Sequence, residues 1–309
     1  MNICVSIFML TYNQEKFISQ TIESVLMQKT NFSYQLVIGE DASTDATGEI
    51  CKKYAEKFHD KIKLLSSGKN LGLIQNFIRT YKECDGKYVA ILDGDDYWTD
   101  PYKLQKQVDF MEAYPSHSTV FTGFKKLYPD GRIISKNYSA MPVTTDFRNI
   151  VRQNYICSAT VMFRNKTDST DFPNWIEKFP YGDWPLYLWT SRKGEKIARL
   201  EDETAVYRMK IGVSGKLKEI QSEVVKVNLG ILECVQKDSN FQFFQKEIRN
   251  SLIDHKLSLA MSYLREQKIW GYLKMFLDLI IICPKRLLNG SLYTARRIFS
   301  KKLQGFELK

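Results

Sequence analysis

The densest chemistry in this chain of 309 residues is Asp93-Gly94-Asp95-Asp96, three carboxylates within four positions. Such groups repel one another and lose hydration together unless a cation neutralises them. Hard oxygen donors at that density suit Mg2+ or Mn2+, which bridge to the phosphates of a substrate. The plainer use of the same residues is a turn, because Asp and Gly favour turns. Position favours the cation, since the cluster directly follows the apolar run 87–92, which reads as a buried strand. Three other polar groups stand in the same relation to a strand: Thr11-Tyr12-Asn13 after 3–10, Glu40-Asp41 after 34–38, and Asn70-x-Gly72 after 61–66. In an open α/β sheet ligands bind outside the carboxyl ends of the strands, so all four groups are expected on one rim.

The elements that must position them alternate in the first hundred residues between short apolar runs and amphipathic stretches, the signature of βαβ units. Phe17, Ile18, Ile22, Val25 and Leu26 recur at helical spacing, with Asn13 as the expected cap. A second helix runs through Ile50, Tyr54 and Phe58 behind Ser43 or Thr44, and a third spans 73–84. Thr99-Asp100-Pro101 opens a fourth, over 104–114. The pattern then changes. Segments 120–128 and 132–138, joined by Pro129-Asp130-Gly131, read as an antiparallel hairpin. A strand at 158–164, a helix at 184–193 and short strands at 196–200 and 204–209 follow, and from 216 the pattern is helical. The expected fold class is α/β, a mixed central sheet flanked by helices, with residues 1–215 as the main domain and 216–309 as a helical extension. Within the first domain, about 1–100 and 101–215 form two halves of different pattern.

Composition narrows the class. An apolar fraction of 44% excludes a disordered or collagen-like chain. The six cysteines, at 4, 51, 84, 157, 234 and 283, include no C-x-x-C pair, which argues against a zinc site or a disulfide framework and for a reducing, cytoplasmic compartment. The opening MNICVSIFML reads as a first strand rather than a signal peptide. No G-x-G-x-x-G follows that strand, which disfavours a Rossmann dehydrogenase. The net charge of +10 is uneven: residues 215–309 hold 17 basic and 9 acidic side chains. A nearly neutral body with a basic tail points to an anionic partner.

The four rim groups carry a resemblance. Val5-Ser6-Ile7 through Thr11-Tyr12-Asn13, Glu40-Asp41-Ala42-Ser43-Thr44-Asp45, Asn70-x-Gly72 and Leu92-Asp93-Gly94-Asp95-Asp96, in that order and spacing, resemble family 2 glycosyltransferases of the GT-A fold over about residues 3–215. The resemblance implies an inverting transfer of a sugar from a nucleotide-diphosphate donor, a UDP-sugar by preference, to a hydroxyl of a glycan or lipid-linked acceptor. It assigns Thr11, Tyr12, Asn13, Glu40, Asp41, Asn70 and Asp93 to the nucleotide, with Tyr12 stacking on the base and Asp41 accepting from its imide. It assigns Asp93, Asp95 and Asp96 to Mn2+ or Mg2+. Inverting displacement also needs a base to take the acceptor proton. Tyr181-Gly182-Asp183-Trp184 resembles the family's acidic-plus-Trp motif, which makes Asp183 the base; its place at a helix start equally suits an N-cap. Trp184, Tyr187 and Trp189 either wall an acceptor pocket or belong to the core.

Tyr207-Arg208-Met209-Lys210-Ile211-Gly212-Val213-Ser214 resembles a closing segment in which the family carries histidine where Lys210 stands. An ammonium neutralises phosphate charge but does not ligate a metal. His59, His117 and His255 fall outside every motif, so histidine catalysis is not expected. Two other classes fit the carboxylates: a metal-dependent sugar-nucleotide phosphohydrolase, and a catalytically silent sugar-nucleotide-binding protein. Residues 269–283 are strongly apolar but short and interrupted by Lys274 and Asp278, so a membrane span is not expected. With Lys285, Arg286, Arg296, Arg297, Lys301 and Lys302 behind it, the tail reads either as an amphipathic segment on an anionic membrane surface, at the inner face of the cell membrane, or as a packed helical cap. No motif supports nucleic-acid binding. The oligomeric state is not encoded in any readable pattern.

Overall fold

The structure, a computed structural model, describes residues 3–165, 172–209, 211 and 220–306, with side chains through 295. The chain divides into two compact units, Met1–Gly215 and Lys216–Lys309.

In the first unit β1 (Val5–Thr11) is buried at every residue, which is why its sequence is largely apolar on both faces rather than alternating. Val5, Ile7 and Met9 join one core with Ile18, Ile22 and Val25 of α1 (Ile18–Leu26). Phe8 meets Phe77 edge-on at 4.9 Å across the other face. The next elements are β2 (Tyr34–Glu40), α2 (Thr47–Lys57), β3 (Ile62–Leu65), α3 (Leu73–Lys82), which carries Phe77, and β4 (Tyr88–Ile91). These four strands pair in parallel in the order β3-β2-β1-β4. The connections diverge at β1, so β1 and β4 flank a topological switch point, where a crevice opens at the strand ends.

After β5 (Tyr97–Trp98) and α4 (Lys103–Ala113) come β6 (His117–Leu127), β7 (Ile133–Ser135), β8 (Thr144–Thr145), α5 (Phe147–Ile150), β9 (Met162–Arg164), α6 (Asp183–Thr190) and β10 (Lys196–Arg208). β9 runs antiparallel between β4 and β6 and makes the sheet mixed. The β6–β7 hairpin forms as expected.

Three expectations need correction. The two strands at 196–200 and 204–209 are one, β10, whose pairing with β6 shifts register between Arg199 and Ala205. Glu201-Asp202-Glu203 looked like a turn because a bulge tolerates charge that a regular ladder does not. The strand expected at 158–164 begins as a 3-10 turn, Ser158–Thr160, before β9. Neither Asn13 nor Ser43 nor Thr44 caps a helix; the caps are Phe17 and Ala46, and neither uses a side chain.

The second unit contains α7 (Gln221–Lys237), a 3-10 segment Ser239–Phe244, α8 (Gln245–Arg265), α9 (Ile269–Ile282) and α10 (Pro284–Phe306). Leu279 of α9 and Leu287 of α10 pack with Ala260 and Met261 of α8 in a small core. Among the described residues no helix is long and apolar enough to cross a membrane.

Candidate active site

The rim groups converge because each sits at the carboxyl end of a neighbouring strand. Thr11 ends β1, Glu40 ends β2, Asp41 follows it, and Asp93 follows β4. The loops after β1 and β2 are laced together. Asn13, in the left-handed region at φ 52°, accepts from the Thr44 amide (2.8 Å), while its own amide donates to Ser43 Oγ (3.0 Å). The Gln14 amide donates to Thr47 Oγ1 at 2.7 Å, and Glu15 Oε2 accepts from the Ala46 amide at 3.0 Å. Both Glu40 oxygens accept from amides of its own loop, Ser43 at 2.7 Å and Ala42 at 3.2 Å. Glu40 therefore shapes the loop that carries the neighbouring rim groups.

Asp41 is buried and accepts from the Leu71 amide (2.8 Å) and the Gly72 amide (3.0 Å), while Asn70 Nδ2 donates to the Asp41 carbonyl (3.1 Å). Asp41 and Asn70 thus lock the third rim group onto the second. A carboxylate oxygen has more than one acceptor site, so Asp41 keeps capacity for a further donor. Tyr12 is exposed on the rim.

The aspartate cluster is drawn tight against β1 and α1. Gly94 N donates to the Leu10 carbonyl at 2.9 Å, and a Cβ there would lie 2.4 Å from Gln14 Oε1 and 2.8 Å from Thr11 Oγ1. Only glycine fits. Thr21 Oγ1 donates toward the carbonyls of Gly94 (2.9 Å) and Asp96 (2.6 Å). The three carboxylates separate. Asp93 Oδ2 accepts from Ser158 Oγ at 2.9 Å. Asp96 Oδ1 accepts from the Arg208 amide at 2.8 Å, and its Oδ2 has no partner among the described residues. Arg208 donates to the Asp95 carbonyl and to Gln20, its guanidinium lying over Phe17 (4.7 Å) and Tyr97 (4.8 Å).

Crowding shows in the electrostatics. Burial, then the Asp95 and Asp183 charges, push Asp93 up to about 7 against the Ser158 hydrogen bond. Burial raises Asp95, opposed by Arg208. Burial and Asp95 raise Asp96 further. Asp183 is the first residue of α6 and Gly182 is its cap, so Asp183 is not the N-cap. A Cβ on Gly182 would meet the Phe77 ring at 2.9 Å, which fixes the start of α6 against α3. Asn154 Nδ2 donates to Asp183 Oδ2 at 3.1 Å. Trp184, Tyr187 and Trp189 are buried, with Trp184 Nε1 bonded to the Ile150 carbonyl at 2.9 Å. They belong to the core rather than to an acceptor wall. Lys210, with Gly212 to Ser214, lies outside the described residues.

Sequence reasoning missed the support under Asp93. Ser158 stands on a turn held by Trp98 Nε1 to the Ala159 carbonyl (2.8 Å) and Gln107 Nε2 to the Thr160 carbonyl (2.9 Å). Gln107 Oε1 accepts from Lys103 Nζ at 2.6 Å, and that fully buried ammonium lies 4.3 Å over the Trp98 ring. Burial lowers Lys103 to about 7. The one available signal was the i, i+4 spacing of Lys103 and Gln107 on α4.

Among the described residues no three His, Cys, Asp or Glu side chains are grouped to hold a metal. The donor set still fits a divalent cation in part. Asp93 and Asp95 are hard donors whose pKa values are raised chiefly by burial, and Mg2+-type sites need only one or two carboxylates when substrate phosphates and water complete the shell.

Comparison with known proteins follows the same outline. The family model "Glycosyl transferase family 2" matches residues 6–170. An uncharacterized protein of Mycobacterium tuberculosis is 32% identical over 208 residues, 66% of this chain and 58% of that relative, so the match spans little more than half of the mycobacterial protein. The Escherichia coli UDP-Glc:alpha-D-GlcNAc-diphosphoundecaprenol beta-1,3-glucosyltransferase WfaP is 29% identical over 232 residues, 74% of this chain and 87% of WfaP. Residues 1–349 of S. aureus TarS, solved with UDP-GlcNAc, superpose with a TM-score of 0.64 at 15% identity, covering 97% of this chain and 92% of that one. The mannosyltransferase PcManGT of Pyrobaculum calidifontis, solved with GDP-Man and Mn2+, gives 0.61 at 15% identity, covering 96% and 87%. Strand order and family match agree: the chain belongs to glycosyl transferase family 2 and has the GT-A fold.

Proposed function

We propose that the protein is an inverting transferase that moves a sugar from a nucleoside-diphosphate donor, a UDP-sugar by preference, to a hydroxyl of a glycan or lipid-linked acceptor. The observation that carries this reading is the electrostatic proximity of Asp183 and Asp93, carboxylates from α6 and from the end of β4. Inversion requires a base on one side of the anomeric carbon and the leaving diphosphate on the other, and Asp183 and Asp93 are the acidic residues assigned to these two sides. Asp183, oriented by Asn154, takes the proton of the acceptor hydroxyl as that oxygen attacks.

Thr11, Tyr12, Asn13, Asp41 and Asn70 receive the nucleoside, with Glu40 acting through the loop it shapes. Asp93 meets the ribose and diphosphate side, and Lys210 is assigned to phosphate charge. Asp93 and Asp95 are the residues to hold Mn2+ or Mg2+, which when bound neutralises the charge of the departing diphosphate. Residues 1–100 are the nucleotide half and 101–215 the acceptor half. The lipid-linked acceptor draws on what the name of WfaP says of its own acceptor.

The test is thermal stabilisation by UDP-, GDP- and dTDP-sugars with and without Mn2+, followed by turnover with an undecaprenyl-diphosphate-linked sugar and NMR of the product anomer. A ligand at 100 times its Kd adds about 2.7 kcal/mol. Metal-dependent stabilisation by one donor and a product of inverted configuration support the reading. Hydrolysis indifferent to acceptor would instead favour a phosphohydrolase, and binding without turnover a silent sugar-nucleotide-binding protein.

A further inference from the structure

Helix α9 has two apolar faces, and among the described residues only one is covered. The inner face seats Leu279 with Tyr272, Met275, Phe276 and Ile280 against α8 and α10. Gly271 lets this face approach closely, since a Cβ there would lie 2.9 Å from the Tyr263 ring, and Tyr272 Oη donates to Ser291 Oγ of α10 at 2.9 Å. The helix is therefore pinned in rotation and cannot turn its other face inward. That face presents Trp270, Leu273, Leu277 and Ile281, spaced by three, four and four, with 86, 43, 69 and 86% of their surface exposed. Leu288 and Leu292 of α10 are also exposed. An apolar stripe of this size in water marks an interaction surface.

We infer that the stripe docks onto an anionic lipid bilayer, with α9 lying in the plane of the interface. Charge selects this occupant over a second copy of the chain. Residues 281–309 carry seven basic side chains and one acidic one, and Lys274 and Lys285 are exposed, against Asp278 as the exposed acid of α9. Two copies meeting there would bring like charges together, whereas anionic headgroups neutralise them. At 14 residues α9 is about 21 Å long, short of the roughly 30 Å hydrocarbon core, so it lies along the surface instead of crossing. Aromatic and branched side chains on one face with lysines alongside make an interfacial helix. The inference goes beyond the transfer reading and needs no donor or acceptor for its test.

The intact chain is sedimented with vesicles of phosphatidylcholine alone and with phosphatidylglycerol added. Binding to the anionic vesicles, weakened but not abolished by high salt, is expected. Trp270→Ser with Leu277→Ser, both at exposed positions, should cut partitioning at least tenfold while circular dichroism and Tm stay unchanged. Should that variant misfold, brominated acyl chains decide in the unaltered chain: they must quench a tryptophan component that Trp270→Phe removes. Absence of quenching, equal and negligible sedimentation with both lipids, or a salt-stable dimer that the double substitution dissolves would each overturn the inference.

Discussion

Ser158 Oγ donates a 2.9 Å hydrogen bond to Asp93 Oδ2, joining the turn before β9 to the end of β4. The bond favours the ionised carboxylate, while burial and two other carboxylates oppose it. A hydrogen bond of this kind contributes about 0.5–1.5 kcal/mol, up to roughly one pH unit. Ser158→Ala should therefore move the acidic limb of the kcat/KM profile upward by as much as about one unit, since that profile reports the free enzyme. An unmoved limb would show that Asp93 ionisation does not govern donor capture.

Asp93 also makes apo stability depend on pH. Its pKa rises from 3.8 in the unfolded chain to about 7 in the fold, so between those values the folded protein holds the extra proton. Stability from this group is complete below 3.8 and is lost as pH rises through 7. Tm measured without metal should fall between pH 5 and pH 8, and Asp93→Asn should flatten that fall.

Asp183→Asn should lower transfer by about 10²–10⁴-fold, the usual weight of a general base, with donor Kd close to that of the unaltered chain. Titration of both proteins with the donor, beside steady-state rates, checks this. Collapse of donor affinity together with rate would reassign Asp183 to the nucleotide site.

Asp95→Asn should abolish turnover and leave the fold intact. Removing one charge relieves Asp93 and Asp96, so the apo variant is expected to melt at or above the wild-type temperature at pH 8. Full activity in the presence of a chelator would exclude the metal assignment.

Lys103 answers to pH with the opposite sign to Asp93. Its pKa falls from 10.5 to about 7, so the unfolded chain binds more protons across that window and stability rises with pH through it. The gain is roughly 1.4 kcal/mol for each unit of the window titrated. Denaturant midpoints at pH 7 and pH 9 should show the rise in wild type, and Lys103→Met should remove it.

The nucleotide half was legible because its information is local. Each parallel strand is a short, largely apolar run, and the residues at or just after its carboxyl end reach the rim by topology alone, as with Thr11, Asp41 and Asp93. What was not legible depends on partners far apart in sequence. Asn13 has the type of a helix cap, yet it spends its hydrogen bonds on Ser43 and Thr44, thirty residues on. Trp184, Tyr187 and Trp189 have the types of a sugar-binding wall, yet closure of α6 on the sheet buries them. Ser158, Trp98, Gln107 and Lys103 carry no motif, because what links them is contact across three elements.

The lacing of Asn13 to Ser43 and Thr44, of Gln14 to Thr47 and of Glu15 to Ala46 makes the loops after β1 and β2 a single module. Their ordering entropy is met during folding rather than on encounter with a donor, which favours a rigid recognition surface. Exchange between homologues must respect that unit. A graft of either loop alone removes the partners of the other loop's amides, and the two grafts together are expected to restore what each single graft loses.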